Sequence, residues 1–95
     1  MYFIIRTQDF EKSYKKIKHS GQLKTQTKIK LEEVINLLAS GKKLPISFQD
    51  HQLIGELQNY RECHIRGNLL LIYQITKEEL LLVLVNLGTH SYLRI

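Results

Sequence analysis

Apolar positions along this chain keep one rhythm in its first half and another in its second. Residues 2–6, "YFIIR", are aromatic and β-branched, the composition of a short strand. Phe10, Tyr14 and Ile17 then recur at i, i+4 and i+7, one apolar helical stripe with lysines opposite. Thr7 supplies an N-cap and Gly21 a stop. From Thr25 to Ser40 the same period returns in Leu31, Val34, Ile35 and Leu38, and Gly41 ends it. The two stretches read as a helical hairpin with lysines along its outer side.

Between Lys42 and Asn59 neither period holds, and Pro45 interrupts any helix. A loop that long in a small domain is more often functional than idle. After it the period becomes two. In "YRECHIR", Arg61, Cys63 and Ile65 share one face, while Tyr60, Glu62, His64 and Arg66 share the other. Gly67-Asn68 signals a tight turn, and "LLLIYQI" and "ELLLVLVNL" are buried strands joined through "TKEE". The order β-α-α-β-β-β predicts an α+β fold, a small antiparallel β-sheet with two N-terminal helices packed on one face. The opposite face stays partly open.

At 95 residues the chain is expected to form one domain over 1–95. Its start lacks the apolar stretch of a secretory signal, and no run approaches the ~20 apolar residues of a membrane span. A lone cysteine, Cys63, rules out an internal disulfide framework and fits a reducing cytoplasm. The net charge of +5 is concentrated in the helical half, where nine of the fourteen basic residues lie between Lys12 and Lys43 against only Glu32 and Glu33. Such a face either suits a polyanionic or acidic partner or serves only solubility.

Three histidines hold separate places: His51 in the irregular loop, His64 on the polar face of a strand, His90 just past the last strand. His19, at a helix C-terminus, suits the helix dipole instead. The spacings of the three match no compact zinc pattern, and Cys63 points away from His64, so no metal or other cofactor is expected. Imidazole, with an ordinary pKa of ~6.5, suits proton transfer near neutrality. RNA cleavage without metal needs a base for the 2′-hydroxyl, an acid for the departing 5′-oxygen, and cations at the phosphate. Taken singly, each histidine is more commonly a plain surface or hydrogen-bonded residue.

The elements "DHQLIG" (Asp50 to Gly55), "YRECHI" (Tyr60 to Ile65), "LLIY" (Leu70 to Tyr73) and "LGTHSYL" (Leu87 to Leu93) stand in one order and register. Together they resemble the YafQ subgroup of the RelE superfamily of bacterial toxins. The resemblance covers the C-terminal half by motif and the N-terminal half by architecture. It implies a type II toxin–antitoxin toxin, a ribosome-dependent, metal-independent endoribonuclease that cuts messenger RNA in the A site. Its partners would be the ribosome, mRNA and a cognate antitoxin. It also places the family's active-site histidines on His51, His64 and His90. Among them we assign His64 or His51 as base and His90 as acid.

Three positions depart from the family pattern. A carboxylate four residues after the strand histidine becomes Asn68, which can still hydrogen-bond but carries no charge. An arginine before the glycine–histidine motif becomes Asn86, and an aromatic after the last histidine becomes Arg94. Arg66 and Arg94 are candidate replacement cations, and Tyr92 a candidate stacking platform. Lys12, Lys15, Lys16 and Lys28 would grip RNA. Asp50 is expected to turn or cap its loop, Arg61 to form a structural ion pair, and Tyr73 to fill the core. The altered charge set leaves open a catalytically weakened toxin that mainly binds the ribosome or its antitoxin. The gyrase-directed branch of the superfamily ranks last, because it generally lacks these histidines.

Overall fold

The computed structural model describes residues 1–94. Its elements are β1 (Phe3–Arg6), α1 (Gln8–His19), α2 (Thr25–Ala39), β2 (His51–Gln52), β3 (Arg61–Arg66), β4 (Leu69–Thr76), β5 (Leu81–Gly88) and α3 (His90–Leu93). Single 3-10 turns occupy Ile46–Phe48 and Gly55–Leu57. The predicted N-cap forms, with Thr7 Oγ1 accepting from Phe10 N at 3.1 Å. Gly21 and Gly41 follow their helices in the left-handed region, where glycine meets no Cβ penalty.

The sheet order is β1-β5-β4-β3-β2. All pairings are antiparallel except one, because β1 runs parallel to β5 with Phe3 opposite Leu81 and Arg6 opposite Leu84. Two helices carry the chain across the sheet after β1, so the first and last strands point the same way. The fold is thus α+β with a mostly antiparallel sheet. The interval read as irregular holds β2, whose two residues are too few for any period to show. The helices also meet the sheet separately, α1 against β5 and α2 against β3.

One core lies between helices and sheet. Phe10, Leu31, Val34 and Leu38 meet Cys63, Leu71, Tyr73, Leu82, Leu84 and Leu87, all buried. On the opposite face Leu70 and Ile72 are also buried and pair with His64 and Glu62 across β3–β4. Two register shifts break the alternation, one between His64 and Arg66 and one on β5 around Val85. Thr7 Oγ1 anchors the second to the start of α1, lying 2.9 Å from the carbonyl oxygens of both Leu84 and Val85.

Burial pushes the Cys63 thiol up to about 12. It also raises the Tyr73 hydroxyl, helped by the hydrogen bond to Asp50. Both groups are therefore neutral in the fold where the unfolded chain would ionise. Their stabilising effect is complete below the unfolded values and is lost as pH climbs through the folded ones. The urea midpoint should hold steady to about pH 8 and fall between about pH 9 and 12. Ellman's reagent at about pH 8 should label Cys63 only after unfolding. A native chain that reacts at once, or a midpoint that rises over that range, would contradict the assignment.

Candidate active site

His51, His64 and His90 converge on the open face of the sheet, and Glu62, which the sequence motifs did not single out, sits among them. Glu62 is 2% exposed. It stands two residues before His64 on β3, so strand periodicity places both side chains on one face. His51 opens β2 directly across from Glu62, its Nε2 3.1 Å from Glu62 Oε2. Gln49, in the left-handed region, turns the chain just before it, and the Gln49 carbonyl oxygen lies 2.7 Å from His51 Nδ1. His90 is the first residue of α3, whose N-cap Thr89 accepts from Tyr92 N. From there His90 Nε2 reaches to 2.9 Å from Glu62 Oε1. That approach lacks the alignment of a ring N–H hydrogen bond, so Oε1 is a buried side-chain oxygen with no hydrogen-bond partner. His64 and His90 meet edge to face with ring centroids 5.9 Å apart.

Chemically, the cluster is a buried carboxylate with Leu70 and Ile72 across the neighbouring strand and half-exposed imidazoles above it. Both ring nitrogens of His51 lie near oxygens, Nδ1 at the Gln49 carbonyl and Nε2 at Glu62 Oε2. His64 has no carboxylate within ion-pair distance among the described residues. Three ligand atoms, from Glu62, His64 and His90, also lie within 4.8 Å of one another. The spacing of the histidines alone matched no compact zinc pattern and gave no expectation of a metal. The fold does gather two of them with a carboxylate, a donor set suited to a first-row divalent ion with open positions.

Comparison with known proteins fits this arrangement. Residues 2–95 match the family described as bacterial toxin of type II toxin–antitoxin system, YafQ. The chain belongs to the YafQ family. Its sequence is 32% identical over 87 residues to the mRNA interferase toxin YafQ of Escherichia coli K12, covering 81% of this chain and 92% of that protein. A match to a YafQ toxin of Haemophilus influenzae is 52% identical over 40 residues but spans only 42% of this chain and 39% of that protein. Among solved structures, a copper-bound mutant toxin from Helicobacter pylori superposes with a TM-score of 0.87 at 33% identity, over 98% of this chain and 99% of that one. The E. coli DinJ–YafQ complex superposes with a TM-score of 0.82 at 28% identity, over 98% of each chain.

Within this YafQ-family fold the other predicted site residues scatter. Asn68 is exposed in the β3–β4 turn. Arg66 and Arg94 are exposed, and neither joins an ion pair among the described residues. The register shift after His64 removes the shared parity that linked Arg66 to it. Arg94 ends α3 in the left-handed region, its N–H on the His90 carbonyl.

Asn86 is tied into the fold, because its Oδ1 accepts from Ser13 Oγ at 2.7 Å and from Leu87 N at 2.8 Å. Tyr92 is 47% exposed and closely packed. Its hydroxyl donates to Ser13 Oγ, and Lys16 Nζ lies 5.1 Å from its ring centre. The ring rests so near Gly88 that a Cβ there would come within 2.5 Å of Tyr92 Cδ2. Glycine is thus required at 88 for close approach. Lys12, Lys15, Lys16 and Lys28 are all exposed.

Arg61 forms an ion pair and Tyr73 fills the core as expected, whereas Asp50, expected to turn or cap its loop, is instead the acceptor they share. The Asp50 carboxylate accepts from Arg61 Nε at 3.3 Å, from Arg61 Nη2 at 3.1 Å and from the Tyr73 hydroxyl. Those bonds, the Asp50 one first, hold the Arg61 guanidinium above its ordinary range.

Proposed function

We propose that this YafQ-family toxin is a ribosome-dependent endoribonuclease that cuts messenger RNA without a metal ion. The observation that carries this reading is the convergence of His51, His64 and His90 around the buried Glu62 carboxylate. His64 takes the 2′-hydroxyl proton, since it is the ring that no carboxylate holds. The freed oxygen attacks the adjacent phosphorus in line, and His90 gives its proton to the departing 5′-oxygen. The products are a 2′,3′-cyclic phosphate and a 5′-hydroxyl.

His51, with Nδ1 at the Gln49 carbonyl and Nε2 turned toward Glu62, is oriented away from the role of base. It stands beside the phosphate in place of the cation that the family pattern puts at position 86. Glu62 orients the rings. An ion held by Glu62, His64 and His90 would occupy nitrogens that proton transfer needs.

Exposed lysines of α1 and α2 serve as the RNA grip, a term that weakens with salt. The E. coli DinJ–YafQ complex supports a cognate antitoxin as the protein partner. No helix among the described residues is long and apolar enough to cross a membrane, and the ribosomal role places the toxin in the cytoplasm. A weakened toxin that mainly binds is favoured by one observation, the engagement of Asn86 with Ser13 and Leu87 where a cation would stand.

Mapping messenger 5′ ends after induction of the toxin alone decides between the two. Discrete new ends within codons should appear with the native chain and vanish with His64→Ala. Growth arrest with no histidine-dependent ends would sink the enzymatic reading.

A further inference from the structure

His51 stands at the start of a strand only two residues long, and two backbone pairings are a weak hold for a ring that must keep its place. The stronger hold lies next to it in sequence. Asp50 gathers three hydrogen bonds, two from Arg61 and one from the buried Tyr73 hydroxyl. In the β2–β3 register His51 faces Glu62 while Gln52 faces Arg61. Two adjacent residues of the loop are therefore fastened to two adjacent residues of β3. Asp50 binds Arg61 on the helix side, where Tyr73 lies in the core. His51 meets Glu62 on the open side.

We infer that Asp50 is a positioning residue for the cleavage reaction, holding His51 against Glu62 through its clamp on Arg61 and Tyr73. The inference rests on the nuclease reading, and in particular on a working role for His51. Burial and its bond to Asp50 hold the Tyr73 hydroxyl above its ordinary range, and Arg61's own bonds to Asp50 do the same for the guanidinium, so the clamp persists across neutral pH. Rotation of the Asp50–His51 segment by one residue would turn His51 away from Glu62, because neighbouring side chains point to opposite faces. An aspartate that merely turned a loop would need no bidentate partner and no buried hydroxyl.

A double-mutant cycle tests this, measured as single-turnover cleavage of ribosome-bound messenger. Asp50→Asn should lower the rate at saturating substrate by about 10- to 100-fold with little change in KM, the loss expected of a misplaced group. In a His51→Ala background the same substitution should change the rate by less than about twofold, because its target is gone. Tyr73→Phe removes one of the three bonds and keeps the ring, so it should show a smaller loss with the same dependence on His51. It also supplies the test if Asp50→Asn fails to fold. An Asp50→Asn loss of equal size in both backgrounds would overturn the positioning role and leave the nuclease reading intact. Native-rate cleavage by His51→Ala would remove His51 from the mechanism and the inference with it, while dependence on His64 and His90 would still speak for the nuclease.

Discussion

Glu62→Met should silence the toxin and make it more stable. The Glu62 side chain is almost wholly buried, Leu70 and Ile72 lie on its face of the sheet, and one of its oxygens has no aligned hydrogen bond. A carboxylate held out of water in that way costs free energy that two half-exposed imidazoles recover only in part. Replacing a whole buried ion pair with apolar side chains is commonly neutral or stabilising by ~1–4 kcal/mol. Here the partners left behind, His51 and His90, are half in water, so no buried charge is stranded. For a domain of this size each 1 kcal/mol moves the midpoint by roughly 4–8 °C. The same substitution leaves His51 and His90 with nothing to aim at. Cleavage should then lose most of the ~10²–10⁴-fold that positioned proton transfer contributes. Thermal melting and single-turnover cleavage measured on one preparation check both signs. A variant that melts earlier yet still cuts would show that Glu62 holds the fold rather than the chemistry.

His90→Ala should also abolish cutting, by ~10²–10⁴-fold, but with a distinctive cure. The His90 side chain is 55% exposed, so water replaces the ring beside Glu62 and stability should move by less than about 1 kcal/mol. If His90 protonates the leaving oxygen, a substrate with sulfur at the bridging 5′ position should restore the rate. A thiolate departs without a proton. His64→Ala should gain nothing from that substrate, since its defect lies in removing the 2′-hydroxyl proton. Equal rescue of both variants, or of neither, would overturn the division of labour between the two rings.

The parts of this molecule set by local periodicity are legible in the order of its residues alone. Phe10, Leu31, Val34 and Leu38 lie in the core as the helical stripe requires, and Thr7 and Gly21 bound α1. Cys63 and His64 separate to opposite faces because strand alternation demands it. Less local features are not legible in that way. The partner of β1 is fixed by the path of two helices, and β2 is shorter than any period.

Glu62 could have been found by parity, since it precedes His64 by two on one strand. A lone glutamate among surface charges, however, does not announce that three rings from three elements will cover it. Asn86 shows the reverse. Comparison by motif placed it where the family pattern has an arginine, and the shift at Val85 and the buried Ser13 of α1 draw its amide into the fold. For Arg66 a bulge cancels the alternation that linked it to His64.

The parallel pairing of β1 with β5 also governs when this toxin can come into being. Helices α1 and α2 and the β3–β4 hairpin join near neighbours in sequence, so each can form early during synthesis. The first strand has no hydrogen-bonded neighbour in the sheet until residues 81–84 arrive, and closing so long a loop is slow as well as entropically costly. His90 follows that same strand at once. One segment therefore completes both the sheet and the histidine cluster, and a nascent chain that has not yet delivered it holds Glu62, His51 and His64 without His90.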